Sequence, residues 1–287
     1  MRATAVTGRR PLSRRESEAI GIAAQRALND ELETWPKPGL VSHVDNGSHA
    51  DMDAGLFFRS AAVLQPFFVQ LACAGAAGGD MNCLRHLGLQ AEKAMLTATK
   101  GVNTHRGAIF GLGLLCASAG ASRTNHFFTA RPASLGDLVV QKWGSDILRG
   151  LATLNSHGTE ARLRFGVGGA TGQAAAGFPH AYSVGLPALK LGRVLAPNDE
   201  EASRVQTFFA LLASLDDTNL LHRGGAEGLA FAHEQATAFL EAGGVGQKDW
   251  KIQAARIHWS FVQRGLSPGG CADLLAITIF LDSQEGV

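Results

Sequence analysis

The sequence predicts an all-α protein, and three observations carry that prediction. Strict two-residue alternation of apolar and polar side chains is nearly absent along the 287 residues, and no strand–helix–strand rhythm appears. Apolar residues recur instead at three- and four-residue spacing, most clearly at Val205, Phe208, Phe209, Leu212 and Leu215. Alanine, leucine and glycine dominate a chain that is 46% apolar and 18% charged, a balance that suits a helix-rich globular protein rather than a disordered or fibrous one.

Each element has a local reason. Ser13 followed by Glu16 is a capping-box pair that opens a helix running to about Glu33, with Ile20, Ala23, Ala24, Ala27 and Leu28 on its apolar side. Met52–Ala77 is a second, strongly apolar helix, and Pro66 is expected to kink or split it because proline lacks the helical N–H. Leu84, Leu87, Ala91, Ala94 and Ala98 mark a third, closed by Lys100-Gly101. Thr104 can cap a fourth through the apolar run to Ala119, and the polar stretch Ala121–Gly136 reads as a surface loop. Weaker helical patterns follow at Leu135–Leu154, Thr159–Gly166 and Tyr182–Val194, then the Val205 stripe, then Ala226–Glu241 and Trp250–Arg264. The last helix opens with Ser267 as N-cap and Pro268 at its first position. No internal repeat, linker or low-complexity tract divides the chain. It reads as a single compact multi-helix domain over residues 1–287, with residues 1–15 as a frayed basic start.

Composition also excludes function classes. The net charge of +1 supplies no global field for a polyanion, so nucleic acid is not an expected partner and any phosphate binding must be local. Cys73, Cys83, Cys116 and Cys271 show no CxxC spacing and are expected to be buried, reduced thiols. The basic start (Arg2, Arg9, Arg10, Arg14, Arg15) is not followed by a long apolar stretch, so it is no secretory signal. Ala108–Ala121, taken as the longest apolar segment, is too short and glycine-rich to cross a bilayer. A cytoplasmic protein without a membrane partner is expected.

Four polar, glycine-punctured loops between apolar helices carry the chemistry. Lys37–Asp53 reads KPGLVSHVDNGSHADMD and offers Lys37, Gly39, Asn46 and His49 for an anionic substrate, with Asp51 and Asp53 for a hard cation such as Mg²⁺. Helix capping is the alternative for either aspartate. GVNTHRG (Gly101–Gly107) puts Asn103, Thr104, His105, Arg106 and Gly107 at a helix start, where free N–H groups and the Arg106 fork suit phosphate. A capped turn with a solvated Arg-His pair explains the same residues. DDTNLLHRGG (Asp216–Gly225) follows an apolar helix with two carboxylates, which opposes the macrodipole unless a cation binds, and continues with Asn219, Arg223, Gly224 and Gly225. Of Asp216 and Asp217, one is expected to be structural. SPGGCAD (Ser267–Asp273) adds Ser267, Gly269, Gly270 and Asp273 in the manner of an anion-binding helix start. The glycine-rich GVGGATGQAAAGFP is neither a dinucleotide fingerprint nor a Walker loop. His86, His126, His157, His180, His233 and His258 are scattered and read as structural or surface groups, and no serine-nucleophile elbow or zinc spacing is present.

Taken together, KPGLVSHVDNGSHADMD, GVNTHRGAIFGLGLL, AAAGFP, DDTNLLHRGG and SPGGCADLLA resemble the triphosphoribosyl-dephospho-CoA synthase family, in the family's order and across nearly the whole chain. LETWPKPGLVSHVDNGSH and LLASLDDTNLLHRGG are most similar to its malonate decarboxylase branch. The resemblance implies that ATP gives up adenine while its triphosphoribosyl group passes to the ribose 2′-hydroxyl of 3′-dephospho-CoA, with Mg²⁺ expected. The product would be handed to a transferase that loads an acyl-carrier subunit. The expected partners are thus small molecules, with a homodimer allowed. Where the family usually carries an arginine and a glutamate before AAAGFP, this chain has Thr171 and Gln173. The chemistry asks for a base for the 2′-hydroxyl and an acid for the purine, to be shared among Asp51, Asp53, His49 and His105. The five aspartates Asp51, Asp53, Asp216, Asp217 and Asp273 are expected to meet at one metal–triphosphate site. Two competing readings use the same loops: a Mg²⁺-dependent helical N-glycohydrolase, and a non-catalytic carrier of a CoA derivative.

Overall fold

The computed structural model describes residues 11–124, 134–150 and 168–286. Among these residues there are eleven α-helices and no strand. The capping box at Ser13 and Glu16 is formed, and α1 runs Arg14–Leu32. Next come α2 (Ala54–Ala76), α3 (Met81–Ala98), α4 (Arg106–Thr124) and α5 (Leu135–Gly150). A short α6 (Gly169–Ala175) leads through a π-turn at Ala181–Gly185 into α7 (Leu186–Leu195). The chain closes with α8 (Glu200–Ser214), α9 (Thr218–Glu241), α10 (Trp250–Gln263) and α11 (Gly269–Glu285).

The core centres on α4, whose small residues allow neighbours to approach backbone to backbone. A methyl group on Gly75 of α2 would collide with the Ala117 carbonyl of α4, and one on Gly120 of α4 would collide with the Ala72 carbonyl of α2. The glycine and alanine content of these helices therefore sets how deeply they interlock. Around this pair, α1, α3, α5 and α11 bury Ile20, Leu28, Met95, Trp143, Leu275 and Phe280 in one continuous apolar cluster.

Several expectations need correcting. α2 runs unbroken through Pro66, because the flanking helices hold it against α1, α3 and α4. It is also the helix, among the described residues, that is long and apolar enough to cross a membrane, with a mean hydropathy of 1.4 over its best window. Only 33% of that window is buried, and Ala108–Ala121 is not the longest apolar segment. α4 extends to Thr124, into the stretch expected to be loop. Thr104 does not cap α4: its hydroxyl is spent on Ser60, and the Asn103 side chain accepts the Arg106 N–H at 3.1 Å. Ser267 does not cap α11 either. Cys73 and Cys83 are exposed, while Cys116 and Cys271 are buried as expected. The helix expected at Thr159–Gly166, His126, His157 and Arg2, Arg9 and Arg10 lie outside the described residues.

Candidate functional site

The segment Gly265–Cys271, between α10 and α11, gathers the loops. From the first loop, Ser48 donates its hydroxyl to the Leu266 carbonyl at 2.6 Å, and His49 Nε2 lies 2.8 Å from Ser267 Oγ. Gly39 has φ +70°, and a side chain there would strike the Leu266 carbonyl, so glycine is required on both counts. From the third loop, Arg223 donates to the Gly265 carbonyl at 3.0 Å and lies 3.3 Å from His49 Nδ1. Gly224 packs against Leu266, and Gly225 (φ 62°, ψ −160°) breaks the helical path inside α9, turning the loop residues toward this segment.

Two aspartates tie the helix starts together. Asp217 is 1% exposed. Its Oδ2 accepts the Cys271 N–H at 2.8 Å, and its Oδ1 accepts those of Asn219 at 2.7 Å and Leu220 at 3.4 Å. One carboxylate therefore caps both α9 and α11, which is why Ser267 is free to face His49. Gly270 leaves room for Asp217, and Gly269 for Asn219. Asp273 reaches back to the start of α4, where the Ala108 N–H hydrogen-bonds its carboxylate and Gly107 has no side chain to obstruct it. The second loop thus meets the fourth through Gly107.

Beneath these loops lies a buried charge cluster. Lys37 is fully buried, with its ammonium ion-paired to Glu31 of α1. Burial pushes the lysine down and the glutamate up, each opposed by its partner's charge. Asp217 is raised by burial and opposed by its backbone hydrogen bonds. Asp273 is raised to about 8, by burial and then by the negative charges of Glu31 and Asp217. His105 is also interior: Nδ1 lies 2.6 Å from Ser60 Oγ, and Phe57 packs edge-on with ring centroids 4.9 Å apart. Burial, helped by the Lys37 ammonium, pushes this imidazole down to about 3.

The rim is different in character. Asp51 has two-thirds of its side chain in solvent and approaches His49 Nδ1 at 3.8 Å. Burial first, and Arg223 second, lower the His49 imidazole below its ordinary value. Asp53 caps α2 through the Leu56 N–H at 2.8 Å, while Asp216 and Asn46 are exposed. Arg106 is paired with Glu92 of α3 at 2.6 Å. The structure thus divides the five candidate metal ligands into the buried Asp217, the partly buried Asp273 and three rim residues. Among the described residues no three His, Cys, Asp or Glu side chains gather closely enough to hold a metal ion. Asp217 and Asp273 are committed to backbone N–H groups. Among the described residues the site therefore offers no protein-only cage for a cation.

Sequence reasoning missed Glu31, Ser60 and Glu92. Glu31 had a readable signal, since it continues the Ile20–Ala24–Ala27–Leu28 stripe of α1 and so puts an acid on a buried face. Ser60 and Glu92 lie within helices and carry none. Gln173, one of the two departures from the family pattern, has its own local partner: its amide bonds His180 Nδ1 at 2.7 Å and accepts the His180 N–H at 3.3 Å. Of the remaining scattered histidines, His258 is buried with Nδ1 on the Lys37 carbonyl at 2.8 Å, and His233 binds the Leu215 carbonyl at 3.0 Å.

An all-helical domain that builds its polar site from helix ends and interhelical loops, without a nucleotide-binding sheet, defines a class of helical enzymes. Comparison with known proteins specifies which. The model of the family described as ATP:dephospho-CoA triphosphoribosyl transferase matches residues 17–286. A protein of Acinetobacter calcoaceticus named "Probable 2-(5''-triphosphoribosyl)-3'-dephosphocoenzyme-A synthase" is 36% identical over 267 residues, covering 93% of this chain and 91% of its own. A Pseudomonas aeruginosa protein of the same name is 39% identical over 277 residues, covering 94% and 92%. The 2-(5''-triphosphoribosyl)-3'-dephosphocoenzyme-A synthase of Pectobacterium atrosepticum is 39% identical over 269 residues, covering 89% and 85%. The chain belongs to this transferase family. No solved structure matches it.

Proposed function

We propose that the protein transfers the 5-triphosphoribosyl group of ATP to the ribose 2′-hydroxyl of 3′-dephospho-CoA and releases adenine. The observation that carries this reading is the closure of all four family-like loops on Gly265–Asp273, in a chain that matches the family over residues 17–286. In the reaction the bond from the ribose C1′ to adenine breaks and a bond from C1′ to the 2′-oxygen forms. The 2′-hydroxyl loses a proton and adenine gains one.

The residues supply a division of labour. His49, held neutral by its surroundings at pH 7, takes the hydroxyl proton, and Asp51 beside it steadies the resulting imidazolium. Asp273, raised to about 8 by burial and by Glu31 and Asp217, is the acid for the departing base. Arg223 and the N–H groups at the loop ends favour phosphate. Mg²⁺, bound through the triphosphate with Asp51 as the open protein carboxylate, would neutralise phosphate charge. By resemblance of the first and third loops, the product serves a malonate decarboxylase and passes to the enzyme that attaches it to the acyl-carrier subunit.

The test is chromatography of adenine and mass spectrometry of products after incubation with ATP, Mg²⁺ and dephospho-CoA. One adenine per CoA adduct is expected. Adenine released at the same rate without dephospho-CoA would make the protein a glycohydrolase, and binding without any adenine release would make it a carrier.

A further inference from the structure

The His105 ring is a buried polar group whose hydrogen bonding is left incomplete. The ring is 4% exposed, and Nε2 has no hydrogen-bond partner among the described residues. Its other nitrogen belongs to a chain of hydroxyls. Thr104 Oγ1 donates to Ser60 Oγ at 2.8 Å, and Ser60, itself fully buried, has one hydroxyl hydrogen to give. His105 Nδ1 lies 2.6 Å from Ser60 Oγ, and with Ser60 as the donor the ring hydrogen falls on Nε2. The ring is held in place by Ser60, by the edge-on Phe57 ring, and by the backbone N–H of His105 on Met95 Sδ at 3.3 Å. An unpaired polar atom so deeply buried weakens the fold, so an isolated fold gains nothing by keeping it.

We infer that His105 is a substrate-binding residue rather than an acid or base, and that its Nε2–H donates to a phosphoryl oxygen of the bound nucleotide. The inference rests on the proposed transfer reaction and assigns this residue a role within it. Two features favour an anionic acceptor. The ring stands at the positive end of α4, one residue before its first turn, and it is close enough to Lys37 to feel that ammonium. A neutral ring donates without giving up its proton, so the contact persists at any pH where the protein is folded and active.

Two substitutions separate the two nitrogens. His105→Gln keeps a donor near Nε2 and loses the Ser60 acceptor, whereas His105→Asn keeps an acceptor for Ser60 and loses the donor. His105→Asn is expected to lower kcat/KM by about ten- to hundred-fold, and His105→Gln by only a few-fold. The affected substrate identifies the phosphoryl group: a rise in KM for ATP points to the triphosphate, and one for dephospho-CoA to its pyrophosphate. The reverse order of damage would make His105 a structural anchor and overturn the inference. Equal losses with a lost limb of the pH profile would make it an acid or base, with the same consequence. Nitrogen NMR of the wild-type protein guards against misfolded variants. The His105 Nε2–H signal should move when ATP or dephospho-CoA is added, and no shift with either at saturation overturns the inference, assigning the hydrogen to a water. Adenine release by the wild type, measured first, tests the reaction itself independently of this residue.

Discussion

The interior acids and the rim acids of this site are built for opposite purposes. Glu31 and Asp217 are buried and Asp273 is partly so, and both of the others raise Asp273, while Lys37 is the buried ammonium among the described residues. Asp51, Asp53 and Asp216 stand in solvent, the last directly beside Asp217 in sequence. Within the interior set Asp217 accepts three backbone N–H groups and Asp273 one. The first joins two helices, and its backbone hydrogen bonds oppose the upward push of burial. The second has one such N–H against burial and two neighbouring negative charges. Identical side chains thus differ in how many N–H groups face them.

The sharpest way to break this contrast is Lys37→Met. It strands Glu31 and leaves the interior with acids alone, so a loss of about 3–5 kcal/mol in urea unfolding is expected. Adding Glu31→Gln should restore most of it, and failure to do so would show that Lys37 serves more than Glu31. Next, Asp217→Ala uncaps α9 and α11 together and should cost about 2–4 kcal/mol, several times the effect of losing an ordinary cap. A loss below 1 kcal/mol would remove Asp217 from the role of fastener.

Asp273 sharpens the comparison through pH. Its folded value of about 8 lies above the 3.8 of an ordinary aspartate, so between these values the folded chain holds the extra proton. Its contribution is complete below about pH 4 and is lost as pH rises toward 8, with a slope of at most about 1.4 kcal/mol per pH unit. Asp273→Asn should flatten that slope and raise stability at pH 8 while lowering adenine release by about 100-fold or more. A variant that keeps both the slope and the activity would return Asp273 to a capping role. The smallest stability effect belongs to the rim. Asp51→Asn should change unfolding by less than about 0.5 kcal/mol yet weaken Mg²⁺-dependent turnover, measured by titrating the metal.

The fold was legible because helices announce themselves locally. The Ser13–Glu16 pair, the Val205 stripe and the α4 run each depend on neighbours within a few positions. The site was legible as four loops and less so as an arrangement. Lys37 reads as a group for an anionic substrate because the loop alone does not show that it pairs with Glu31, whose place on the α1 stripe is the one local signal. Arg106 reads as a phosphate fork because Glu92 sits 14 positions earlier on another helix. Thr104 and Ser267 look like caps, since local rules cannot see that Asn103 and Asp217 take those positions. Proton affinities were beyond reach for the same reason: Asp217 and Asp273 differ only in surroundings that tertiary packing creates.

The bonds from Ser48 and His49 to the Leu266–Ser267 segment join residues 218 positions apart, and Lys37 meets His258 across 221. Loops closed over such separations form late and slowly, after the local helices exist. On the ribosome, the first motif loop must therefore wait for nearly the whole chain before it can take its working shape. Substrate cannot be captured by a half-made molecule, and ligand binding doubles as a proofreading step that rewards only complete folding.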